Sequence, residues 1–583
     1  MAVLECPRCG YNVPNELEAA YPHIIDEPAT WSDHEDIPTL QSEVEILDDL
    51  ISRLNQEKSA VLSKINSLQA TTRKLPPEIL STIFQIARPP IDFDSQYTDL
   101  DIGSNTYHPE EDFHHTLAAV SNFWRLVALS TPRLWGTITL RVDGRRSITN
   151  VASLLDLHFQ RARGVPIAIQ LDFHGAAELW DNSQRATKTR EESLSLLEPL
   201  RTAVFVKNAA MIRHLILIEP PTEWLRFLNG NMLRCHSLTI FRPVPPRAGL
   251  ARDILDLSEL PCLERVQLIK CSLPFSIPET VTTLHLRKLA FIDCFKALTR
   301  FRNLVDFEII KFDPPEVSMP AVTGPIVFPR LERFRWSAST HDGLHYCSQL
   351  FHHLQFPALR SLQWSDNRAT DIRYLYSPRR DPRLDLFSNL PASLTTLTFI
   401  DLRPHFERQT VIQHLLNCVP QVCELNFVEC SRAVVGTAVR AIGRPLHASG
   451  ADYGQQQQQQ ETREEQEEEG EGEQEEQQQL RSVVTEPIKR SPGSPILPNL
   501  RKLTITNAAG WAILDKVEGE DIVDMVEVLC MGRTSRERFE LVVSPESSWD
   551  HGKKQKVLGR LKGLVRDGFE VEVGIGSRTL DLS

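Results

Sequence analysis

From Leu40 the chain repeats its apolar residues at alternating steps of four and three: Leu40, Val44, Leu47, Ile51, Leu54, Val61, Ile65 and Leu68, with Lys58 standing inside the same seam. Four heptads of this spacing predict a long amphipathic helix over residues 39–70, coiled-coil-like in character. Leu50 and Leu62 broaden the stripe, so two uses stay open: packing on a following domain, or homodimerisation through residues 40–68. Residues 1–38 precede it as an irregular leader, because Pro7, Pro14, Pro22, Pro28 and Pro38 break any continuous helix.

A second helical pattern begins at Leu75. Pro76 and Pro77 suit a first turn, where a missing N–H costs nothing, and Glu78 complements the positive end of the helix dipole. Ile79, Leu80, Ile83 and Phe84 then share one apolar face. After a polar stretch of about 30 residues the helical period returns, with Val120, Phe123, Trp124 and Val127 at i, i+3, i+4 and i+7. Pro132 stops this helix, Leu134 and Trp135 supply a further apolar anchor, and Thr137 to Val142 reads as a strand. Residues 71–140 are expected to form a small helical domain, followed by a linking strand and helix region over 141–205.

Beyond residue 205 the period changes to two. Segments of the form L-x-x-L-x-L recur, many of them preceded by proline, and their middle positions are Leu215, Leu238, Val266, Leu284, Phe307, Phe334, Leu362, Leu397, Leu425 and Leu503. The intervals are 23, 28, 18, 23, 27, 28, 35, 28 and 78 residues, mostly close to the period of leucine-rich repeats. An irregular leucine-rich-repeat-like solenoid is therefore expected over 206–450, with final repeats and a C-terminal cap over 497–583; the alternative is a set of ordinary α/β strands without solenoid geometry. The fold class expected is α + α/β. The polar residue that should follow each strand is present only as Cys271, Asn367 and Cys430, so the other turns must satisfy their backbone groups differently.

Charge alters this picture locally. The net charge is −13, but residues 455–479 hold ten Glu and one Arg and so carry −9, leaving −4 for the other 558 residues. The stretch 451–496 is expected to be a disordered Gln/Glu-rich insertion falling between two repeats, and the remainder has no basic field to gather nucleic acid. No apolar run approaches a bilayer span, and the start lacks a signal-peptide pattern, so a cytoplasmic or nuclear protein is expected. The 11 cysteines are scattered singly through apolar segments, which suits reduced thiols.

Three groups of residues carry a family resemblance: Leu75-Pro76-Pro77-Glu78-Ile79-Leu80 with Ile83-Phe84, then Val120-Ser-Asn-Phe-Trp124-Arg125, then Pro132-Arg-Leu-Trp135. In this order they resemble an F-box, of the type abundant in mushroom-forming fungi. Asn122 stands where a Cys is common, and the loop between the helices is longer than usual for that family. The resemblance implies a helical module that docks on the Skp adaptor of a Skp–cullin–F-box ubiquitin ligase. Leu75, Pro76, Ile79, Leu80, Ile83 and Phe84 would then lie at or beneath the adaptor contact, with Val120, Trp124 and Trp135 building the second half.

Motifs for chemistry are sparse. Cys6-Pro-Arg-Cys9 is half of a zinc site, and His23 and His34 do not complete it at a familiar spacing, so no cofactor is expected. No phosphate-binding loop, zinc-protease helix or nucleophile elbow occurs, and no catalytic residues are assigned. Trp336 and Trp364 occupy equivalent places on successive repeats; core filling and target binding are both open to them. The function expected is a non-enzymatic substrate-recognition subunit that binds Skp, and through it a cullin, and holds a target protein on its repeats. The alternative is a self-associating scaffold that binds partners through the repeats without any ligase.

Overall fold

A computed structural model describes residues 37–69, 74–88, 113–179, 194–243, 255–271, 273–312, 324–338, 350–366, 386–402, 409–443, 496–506, 519–531, 538–543, 551–575 and 578–580. The leader with Cys6, Cys9, His23 and His34, the Gln/Glu-rich stretch and Asn367 lie outside the described residues. The chain divides into two units, Met1–Thr131 and Pro132–Ser583.

In the first unit, helix α1 (Ile37–Gln69) realises the heptad pattern over 33 residues, about 50 Å at the usual rise per residue. Helix α2 (Pro77–Ala87) starts on its proline, carries Glu78 in its first turn and buries Leu80 and Phe84. Helices α3 (Phe113–Val120) and α4 (Asn122–Ser130) are separated by Ser121, whose hydroxyl caps α4 by accepting the Trp124 N–H at 3.1 Å. The Phe84 and Trp124 rings meet at 4.8 Å between centroids, and Thr131, which donates to the Val127 carbonyl at 2.7 Å, lies 3.0 Å from the Ser81 hydroxyl. These contacts lock α2 against α4 and fix which face of α2 remains outside.

The second unit is built on a 15-stranded sheet whose strands lie side by side in chain order. It opens with β1 (Thr137–Arg141), α5 (Arg145–Ala162), β2 (Ile167–Asp172), β3 (Ile212–Ile218) and β4 (Ser237–Phe241). Then come β5 (Arg265–Ile269), β6 (Thr283–Arg287), α6 (Phe291–Arg300), β7 (Asp306–Phe312), β8 (Arg333–Ala338), β9 (Ser361–Asp366) and β10 (Thr396–Ile400). The last part holds α7 (Gln409–Cys418), β11 (Glu424–Val428), α8 (Arg432–Gly443), β12 (Lys502–Thr506), α9 (Gly519–Met531) and β13 (Phe539–Val543). It ends with α10 (His551–Arg566), β14 (Val571–Ile575) and β15 (Arg578–Leu580). Among the described residues fourteen strands of this sheet run parallel, and β15 alone pairs antiparallel. The protein is thus mixed α/β, with a large parallel sheet.

All ten marker positions named above fall in one register row, from Leu215 on β3 to Leu503 on β12. The row runs on through Ile169 and Ile138 at one end and Leu541 and Val573 at the other, and every member is buried. Because side chains alternate across a strand, the residues two places later form a second buried row on the same face. There in-register aromatics stack, Trp336 on Trp364 at 6.3 Å and 18°, and Phe399 on Phe427 at 5.7 Å and 23°. The long insertion does not separate its flanking strands, since Leu425 of β11 pairs directly with Leu503 of β12.

Two expectations need correction. The sheet begins at Thr137 rather than beyond residue 205, so the region 141–205 expected to link two domains supplies α5 and the second strand. Trp135, expected in the helical module, belongs to the second unit, where it packs edge-on against His158 at 4.8 Å with Arg161 over its ring at 4.4 Å. The reason is local: a single turn, Pro132–Trp135, leads straight into β1 and carries the indole with the strand.

Turns with and without a Cys share one way of satisfying their backbone groups. Glu219, Arg242, Lys270, Lys288, Asp401 and Glu429, each directly after a strand, adopt positive φ between 42° and 56°. Each donates its N–H to a carbonyl of the next strand (those of Phe241, Ile269, Arg287, Ile310, Val428 and Thr506) at 2.8–2.9 Å. A left-handed residue other than glycine costs roughly 1 kcal/mol, and a well-made backbone hydrogen bond offsets a comparable amount.

Candidate docking surfaces

On α2 three isoleucines stand among the residues that point away from the Phe84–Trp124 contact. Ile79, Ile83 and Ile86, spaced four and three apart, are 49%, 42% and 78% exposed, whereas Leu80 and Phe84 are 1% exposed. A helix of eleven residues thus has an inner apolar face that holds it and an outer one that is uncovered. Of the residues singled out for adaptor contact, Ile79, Ile83 and Pro76 are exposed, Leu75 is half-buried, and Leu80 and Phe84 lie beneath. Val120 is exposed at the end of α3, and Trp124 is half-buried against Phe84. Trp135 belongs to the second unit.

The second surface is the sheet face opposite the two apolar rows. One position along from the marker row lies a polar row: Thr239, Gln267, His285, Glu308, Arg335, Gln363, Thr398, Asn426 and Thr504 on successive strands. Its centre is a charge network. Glu308, fully buried, is held by Arg287 and, at 2.8 Å, by Arg335 Nη1; Asp306 accepts from Arg333 Nε at 2.8 Å and lies 3.7 Å from Arg335 Nη2. His285 Nε2 stands 3.7 Å from Asp306 Oδ1, too far for a direct hydrogen bond. Burial alone would raise the Asp306 carboxyl, but His285, Arg333 and Arg335 outweigh it and hold it at about 2. Burial also opposes ionisation of Glu308, and His285, Arg287 and Arg335 together keep its carboxyl below the usual range. Both groups are therefore charged at neutral pH. Gln267 Nε2, His285 Nε2 and Asp306 Oδ1 are buried with no hydrogen-bond partner among the described residues.

Period two explains why this row escapes a reading keyed to leucines: its members are the variable letter between the last two apolar positions of L-x-x-L-x-L. Aligning the segments on their middle position would have found it. The same period overturns the target-binding role considered for Trp336 and Trp364. Both share the core face and are 1% exposed, with indole N–H groups that find no partner among the described residues, so no target can reach them.

Among the described residues no group of three or more His, Cys, Asp or Glu is placed to hold a metal ion, and no helix is long and apolar enough to cross a membrane. Burial pushes the thiols of Cys235 and Cys430 up to about 12 and that of Cys271 to about 11. Cys430 donates to the Phe399 carbonyl at 3.3 Å, filling the turn role expected of it. Since the thiolate is the reactive form, these three are expected to alkylate at pH 8 at least about a hundredfold more slowly than free cysteine in solution. Peptide mapping after timed iodoacetamide exposure measures the ratio, and equal rates would show the burial to be transient.

No protein-family model matches this chain, and no curated protein matches it significantly.

Proposed function

We propose that the chain is the substrate-recognition subunit of a Skp–cullin–F-box type ubiquitin ligase. Its F-box-like unit binds the Skp adaptor, and the sheet unit, read as an irregular leucine-rich-repeat-like array, holds a target protein. The observation that carries this reading is the uncovered Ile79–Ile83–Ile86 face, on a helix whose opposite face is already committed to Phe84 and Trp124. A small helical unit that exposes so much apolar surface fits an obligate partner better than a free end. The target is assigned to the polar sheet face, where half-buried Gln363, Thr398 and Asn426 offer side-chain donors and acceptors beside a fixed charge network. The subunit contributes proximity, bringing the target to a ubiquitin-charged enzyme, with no reaction at its own residues.

The test is co-purification of the full chain with Skp, for the parent and for Ile79→Asp with Ile83→Asp. Capture by the parent and loss in the variant support the reading. Failure of the parent to capture Skp overturns it in favour of a scaffold that acts without a ligase.

A further inference from the structure

Helix α1 holds a solvent-facing apolar seam with a defined internal order. Val44, Leu47, Ile51, Leu54, Val61 and Ile65 are between 37% and 57% exposed along the helix. Helices draw most of their stability from packing an apolar face, and a helix of 33 residues with its stripe uncovered lacks that support. The seam alternates two kinds of position. One carries Ile37, Val44, Ile51, Lys58 and Ile65, all β-branched except the lysine; the other carries Leu40, Leu47, Leu54, Val61 and Leu68, all leucine except one valine. In heptad terms these are a and d, and β-branched a with leucine d is the combination that selects two parallel strands over three or four.

We propose that α1 is one half of a parallel, in-register, two-stranded coiled coil with a second copy of this chain. Lys58 is the register key. As the single polar residue at an a position, it is tolerated where the two copies meet at the same height, next to Glu57 of the preceding g position, and slipping one chain by a heptad would bury it against Ile51 or Ile65. An antiparallel pair would instead set Lys58 among apolar residues from the other half of the helix. Leu50 at g and Leu62 at e add apolar contact at the edge of the seam without changing its period. The seam spans nearly five heptads, enough for self-association without help from the rest of the chain. The proposal is independent of the ligase reading, because no part of it involves Skp.

The test uses the full chain and reads mass by light scattering. The parent is expected to be a dimer of the 66.3 kDa chain at micromolar concentration, and Leu47→Asp with Ile51→Asp, both at exposed positions, to be a monomer that loses helical signal from α1 and keeps the thermal transition of the sheet unit. Orientation is read by mild oxidation against the parent as background. Leu40→Cys, at a d position near one helix end, should form a covalent dimer, and Ser42→Cys, on the outer face, should not. Lys58→Ile should leave the helix dimeric or larger and make the register permissive, so that Leu40→Cys cross-linking falls by several fold. A monomeric parent, a trimer, or equal cross-linking at Leu40 and Ser42 would each overturn the proposal.

Discussion

Full-length protein carrying Ile79→Asp with Ile83→Asp is expected to keep the parent's circular dichroism and thermal transition and to lose Skp capture by about a thousandfold or more. Both isoleucines are exposed in the free chain, so the aspartates stay hydrated and cost the fold little. In an adaptor interface each carboxylate would lose its water, and a desolvated, unpaired charge costs about 2 kcal/mol or more. Two such penalties exceed about 4 kcal/mol, which is roughly three decades in affinity. Leu80→Asp is a different experiment: Leu80 sits in the interior of the helical unit, and the variant is expected to unfold that unit and to lose binding for that reason. Comparing the two by quantitative co-purification and by circular dichroism separates loss of contact from loss of structure. If the Ile79 and Ile83 variant captures Skp as well as the parent, the outer face of α2 is not the adaptor contact.

The second large effect is expected at the charge network. Glu308→Ala leaves Arg287, itself buried, without its carboxylate and removes the anion that Arg335 binds at 2.8 Å. Breaking a buried pair from one side costs about 3–5 kcal/mol. Glu308→Gln keeps an acceptor oxygen and should cost less. The same network predicts acid sensitivity. Asp306 is more acidic folded, at about 2, than an unfolded aspartate at about 3.9, so its contribution is complete above pH 4 and is lost as the pH falls toward 2. That shift corresponds to about 2.6 kcal/mol, and the lowered Glu308 carboxyl adds in the same direction. Urea unfolding followed by circular dichroism at pH 7 and at pH 3 should show the parent losing stability on acidification and Asp306→Asn losing less. An identical pH dependence in the two proteins would assign the acid sensitivity elsewhere.

The positions legible from the sequence were those where one physical demand dominates. An inward position of a parallel strand must be apolar, so the ten marker positions fall in a single register row despite intervals that range from 18 to 78 residues. Helix α1 was equally plain, its apolar period unbroken except at Lys58. The polar row was hidden because its members, Gln267, His285, Glu308 and Arg335, share no residue type; only their register unites them. Trp135 misled for the opposite reason. Its aromatic character invites a place in the helical module, and only the one-turn link to β1 decides that it travels with the sheet. Trp336 shows the same limit. A tryptophan in a strand can face inward or outward, and here the alternation set by Phe334 decides.

The pairing of β11 with β12 has a consequence for how this chain could have lengthened. Between Val428 and Lys502 stand 73 residues, yet their strands are neighbours in unbroken register. Closing a loop costs free energy only as the logarithm of its length, so extending a connection of about 20 residues to this size adds roughly 1 kcal/mol. The sheet is indexed by strand edges rather than by distance along the chain. A connection can then accept added sequence beside its packed residues, one insertion at a time, without re-registering the rows of side chains on either side.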